Sequence, residues 1–116
     1  MSTWALRASS GRTSGMAMFH VVVTRSGPEW QPGRPLEEQT GWGEHAAFMD
    51  GLVDAGFVVL GGPLSDECRV VHAVEAESAD AIRETLRRDP WSETHLQVES
   101  VEPWTIRLDG RDRARG

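Results

Sequence analysis

What most limits the fold of this chain is the order of its short apolar segments, each closed off by glycine, proline or a polar turn. Phe19-His20-Val21-Val22-Val23-Thr24-Arg25 is β-branched and stops at Ser26-Gly27-Pro28, which predicts a strand. Trp42, Ala46, Met49, Leu52 and Val53 recur at three-and-four spacing, which predicts an amphipathic helix with Thr40 as its cap and Gly56 just past its end. Phe57 to Leu60 is a continuous apolar run, a second strand with a stop at Gly61-Gly62-Pro63. Leu64 to Glu67 predicts a hairpin turn into a third strand, Arg69 to Glu75. Ser78 caps a second helix, Ala79 to Arg88, with Ala79, Ile82 and Leu86 facing inward, and Pro90 ends it. The last strand, Leu96 to Glu99, continues past Pro103 through Trp104, Ile106 and Leu108. Strand, helix, strand, strand, helix, strand is the split order of a ferredoxin-like α+β domain, βαββαβ, with both helices on one face of an antiparallel sheet.

That arrangement leaves one sheet face uncovered. Val21 and Val23 point one way and Val22 the other, so both faces carry apolar groups. A second copy of the chain is the simplest cover. Of the 116 residues, 1–17 and 110–116 are polar, arginine-bearing and without apolar period, and are expected to be disordered tails. The domain is then 18–109, and one of about 90 residues buries only roughly 60–65 % of its unfolded-chain surface. Dimerisation would add to so small a core. Met16 and Met18 also offer later translation starts.

Charge excludes one class of partner. The net charge is −6, the chain has no lysine, and five of its twelve arginines (Arg7, Arg12, Arg111, Arg113, Arg115) lie in the tails. The domain itself is therefore more acidic still and repels nucleic-acid backbones. A single cysteine, Cys68, rules out an internal disulfide and fits a reducing cytoplasm. No run approaches the roughly 18 apolar residues of a membrane span, and the N-terminus lacks a secretory apolar core.

His45 interrupts the apolar stripe of the first helix, three residues after Trp42 and four before Met49. A titratable ring aimed inward needs a partner. Spacing alone leaves two readings open, a buried histidine satisfied by backbone or a chemical group. Asp89, in Asp89-Pro90-Trp91, is by itself ordinary helix-stop punctuation.

Taken together, Phe19–Arg25, His45 with the following Leu52 and Gly56, Leu60-Gly61-Gly62-Pro63-Leu64, Asp89-Pro90-Trp91 and Glu102-Pro103-Trp104 resemble the YCII-related (YciI-like) domain family of the dimeric α+β barrel superfamily. The resemblance spans nearly all of the domain. It implies a homodimer packed sheet to sheet, a cleft between sheet and helices, and His45 and Asp89 meeting there as a catalytic pair. Most members of the family have no assigned reaction. One branch eliminates HCl from a chlorinated hydroxyquinol, so the implied chemistry is proton transfer, elimination or isomerisation on a small ring or enol-type metabolite, with no cofactor. An imidazole suits it because its unperturbed pKa of about 6.5 lets it take and return a proton near neutral pH. The long Ser26–Thr40 segment and the arginine-bearing tails depart from the family pattern, so the substrate does not carry over.

Four further residues are candidates for the cleft wall. Gly62 and Pro63 could bring backbone close to a ligand. Trp91 and Trp30 could flank a flat substrate, although packing is the plainer use of Trp91. Trp42 and Trp104 are expected in core or interface. His20, His45, His72 and His95 lie in separate segments without metal-ligand spacing, and no metal is expected. A non-catalytic ligand-binding or accessory domain is the alternative to an enzyme.

Overall fold

Strand β1 (Ala17–Thr24) is the centre of the fold because its β-branched run is apolar on both sides. Phe19, Val21 and Val23 are buried. In the computed structural model, which describes residues 15–111, β1 is followed by α1 (Trp42–Asp54), β2 (Val58–Pro63), β3 (Arg69–Ala76), α2 (Ala79–Leu86) and β4 (Gln97–Pro103). Among the described residues, four strands form one antiparallel sheet in the order β2-β3-β1-β4. Phe19, Val21 and Val23 pack with Val58 and Val74 against Ile82 and Leu86 of α2 and Met49 and Leu52 of α1. Both helices thus cover one face, an arrangement compatible with the ferredoxin-like order. The opposite face carries His20, Val22 and Val71, with Leu60 63 % and Trp104 42 % exposed.

The helix ends follow from local chemistry. Ser78 Oγ accepts from the Ala81 N–H at 3.0 Å, the expected cap of α2. At the end of α1 the N–H of Phe57 donates to Leu52 O and that of Gly56 to Val53 O, with Gly56 at φ +82°. This is a Schellman closure, and its left-handed residue favours glycine. The expected Thr40 cap is not formed. Gly41 holds the cap position at φ +80° without a side-chain bond, and Thr40 gives its carbonyl to Trp91 instead.

Three boundaries also differ from expectation. Gly61-Gly62-Pro63 does not stop β2 but forms its second half, pairing as far as Pro63 with Val70. Proline is tolerated because β2 is an edge strand. Helix α2 ends at Leu86 rather than Arg88, since Arg88 and Asp89 donate three residues back, to Thr85 and Leu86. Strand β4 ends at Pro103, which pairs with Phe19 near the start of β1, so little partner strand is left for Ile106 and Leu108. The expected tails fall mostly outside the described residues, although Ala17 opens β1, and Arg111 is tied to Asp109. No helix among the described residues is long and apolar enough to cross a membrane.

The Ser26–Thr40 segment is organised around Gln39, which is 3 % exposed. Its Oε1 accepts from the Gln31 N–H, and its Nε2 donates to the carbonyls of Gln31 and Arg34. The segment is also laced to 94–95 through Gly27 N–H to His95 O and Glu29 N–H to Thr94 O. A Cβ on Gly27 would lie 2.5 Å from Thr94 O, so only glycine fits there. Replacing Ser78 by Ala should cost about 1 kcal/mol of stability, measured as a lower urea midpoint at unchanged slope.

Candidate active site

The structure brings together two residues that lie far apart in the chain. Pro90 keeps Asp89 out of helix, and Asp89 Oδ1 accepts from the Trp91 N–H at 2.9 Å, a local Asx turn. Both carboxylate oxygens lie 2.9 Å from Nδ1 of His45 on α1. The side chains are only 5 % and 12 % exposed, respectively. A carboxylate only accepts, so His45 Nδ1 is the donor and its Nε2 is left to exchange a proton.

Trp91 sets the plane of the imidazole. The His45 ring stacks on it at 4.2 Å with planes 7° apart, and His95 stacks on its other face at 4.4 Å and 17°. The indole Nε1 donates to Thr40 O at 2.8 Å, fixing Trp91 along its length. Trp42 leans on both His45 and Trp91.

His45 opens onto a cavity of about 670 Å³ between α1 and the sheet. Trp42, His45, Met49 and Val53 form one wall from a single face of α1. The inward face of α1 meets this cavity as well as the core, and no residue of α1 is fully buried. The floor comes from sheet residues including Val23, Val58, Val70, His72, Gly61 and Gly62. Arg83, Leu86, Asp89 and Trp91 close the far side. This mostly apolar lining with a few converging polar groups suits a small molecule.

Of the residues expected at the site, His45, Asp89, Gly62 and Trp91 line the cavity, whereas Pro63 and Trp30 do not. Pro63 lies too far along the edge strand, opposite Val70. Trp30 stands behind the stack, edge-on to Trp91 and His95 with the Arg25 guanidinium over it. Trp42, expected in core or interface, is a cavity wall. Sequence reasoning missed His72. Its alternation with Val70 and Val74 was a usable signal, but only the pairing with Val21 reveals which face that is. Gly61 was the second signal, since a glycine inside a strand marks close approach. A Cβ at Gly61 would lie 2.2 Å from His72 Nδ1.

Comparison with protein-family models, with curated proteins and with solved structures finds no match. Among the described residues, no group of three or more His, Cys, Asp or Glu side chains is placed to hold a metal ion.

Two of the site histidines resist protonation. Burial pushes His72 below its ordinary value of 6.5, helped by the charge of His45 and opposed by Asp89. Burial also lowers His95, with Glu29 and Asp89 opposing and His45 assisting. The unfolded chain takes up these protons near pH 6.5 while the folded chain does not. Their contribution to stability is therefore complete above that pH and is lost as pH falls toward the depressed values. Thermal melts from pH 7.5 to 5 should show Tm falling below pH 6.5, less steeply in His72→Leu. Gly61→Ala should cost about 1–3 kcal/mol by overpacking. In a double-mutant cycle with His72→Ala most of that cost should vanish; additive losses would mean that the ring is not what Gly61 accommodates.

Proposed function

We propose that this chain is a YciI-like domain and an enzyme that needs no cofactor, using His45 and Asp89 as an acid–base dyad on a small ring or enol-type metabolite. The observation that carries this reading is the placement of both Asp89 oxygens 2.9 Å from His45 Nδ1, with the ring at the edge of a cavity. Asp89 holds the tautomer in which Nε2 is the base, and its charge opposes that of the imidazolium formed when Nε2 takes a proton. Trp91 supports the same ion from below. Once formed, the imidazolium can return its proton to a different carbon, an isomerisation, or to a departing group, an elimination.

The same reading makes the chain a cytoplasmic homodimer joined through the open sheet face. The exposure of Leu60 and Trp104 around Val22 and Val71 supports this use of that face. A non-catalytic ligand-binding domain would use the same cavity but would have no need of an oriented base.

The dyad is tested by hydrogen–deuterium exchange. Small cyclic ketones and hydroxyquinones are incubated with the protein in D₂O, and loss of the C–H signal is followed by NMR. His45→Gln should lower the exchange rate by about 10²- to 10⁴-fold. Asp89→Asn, still able to accept from the Trp91 N–H, should stay folded and lose exchange comparably. Exchange surviving both changes would sink the dyad.

A further inference from the structure

His72 is the cavity's buried polar group that the dyad does not use. It sits on β3 opposite Val21, in a floor built mostly from valines and glycines. A valine there would pack without penalty, whereas leaving a buried polar atom unpaired costs about 1–3 kcal/mol. The two ring nitrogens are not equivalent. Nδ1 is shut away from solvent and has no hydrogen-bond partner. It abuts Gly61 so closely that the Gly61 hydrogen in the Cβ direction points at it. A proton on Nδ1 would meet that hydrogen head-on. The favoured neutral tautomer therefore leaves Nδ1 bare and carries its proton on Nε2 of a ring that lines the cavity.

We propose that the His72 Nε2–H is the hydrogen-bond donor that holds the developing oxyanion of a planar enol- or phenol-type substrate while His45 moves the proton. The proposal rests on the dyad reading above and names the substrate class for it. In the step, His45 Nε2 removes a proton from the carbon beside a carbonyl. The C–H electron pair forms the C=C bond, and the carbonyl π pair moves onto oxygen. His45 becomes an imidazolium against Asp89, and His72 keeps its own proton, giving only a hydrogen bond to the oxygen. Collapse of the enolate reverses this flow. His45 then returns the proton to another carbon, or to a leaving group that departs with its bonding pair.

A neutral imidazole suits this position, because it stabilises the oxyanion without quenching it by full protonation. Burial and the His45 charge keep His72 neutral against the pull of Asp89. The cavity's other charged groups are Arg25, Arg83, Arg87 and Glu93. Arg25 is engaged by Glu67 and Arg87 by Glu84.

The test uses ¹⁵N-histidine-labelled full-length protein and 4-nitrophenol, whose absorbance reports its own ionisation. Long-range ¹H–¹⁵N spectra should show His72 neutral with its proton on Nε2 at pH 7. The probe should move that resonance and ionise about ten- to a hundredfold more readily when bound. His72→Leu should abolish that gain, and His72→Gln, which restores an N–H donor, should recover part of it. A proton on Nδ1, a probe that ionises equally on His72→Leu, or a wild-type protein that does not bind the probe at millimolar concentration overturns the proposal. Failure of the dyad shows separately, as unchanged deuterium exchange in His45→Gln with the His72 tautomer and probe response intact.

Discussion

The Asp89 carboxylate is the junction from which the rest of the site hangs. A buried carboxylate is tolerated only when its oxygens are occupied. Here one oxygen is shared by the Trp91 N–H and His45, and the other faces His45 alone. The result ties the turn after α2 to the first turn of α1. Trp91 repeats the tie ahead of the helix, because its indole donates to Thr40 just before the Gly41 cap. Bonds from two residues flanking Pro90 therefore set the start of α1, and the imidazole orientation follows from that start.

This anchoring matters because α1 has little else to hold it. A helix of 13 residues is marginal on its own in water, and its inward face meets cavity as well as core. Atoms that face a void forgo dispersion contacts. The Schellman closure at Gly56 and the core contacts of Met49 and Leu52 secure the far end, while Asp89 and Trp91 secure the near one. The helix is pinned at both ends and spans the cavity between them. A ligand filling that space would supply the missing contacts and stabilise the fold by mass action.

Much of this was legible in the chain where one local rule decided the matter. The alternation in β1, the Ser78 cap, the Gly56 stop and the inward phase of His45 each depend on a few neighbouring residues. The misses were of another kind. Thr40 looked like a cap because its type fits, yet the indole N–H of a residue fifty-one positions away claims its carbonyl. Gly61-Gly62-Pro63 looked like a stop because glycine and proline usually are, whereas at a sheet edge the same residues continue the strand. Trp30 and His72 exchanged places between wall and background. Which of them reaches the cavity depends on strand pairing and on the packing of the 26–40 segment, and neither is a local property.

Gly61 and His72 face each other across β2 and β3 with no room for a methyl group between them. In evolutionary terms the two positions form a single character. Any descendant that gains a side chain at 61 must move or lose the ring at 72, and one that loses the histidine frees 61 to vary. A pair that drifts only together would carry, in the sequences of this chain's relatives, the imprint of a contact that a single sequence shows only as a glycine in an unexpected place.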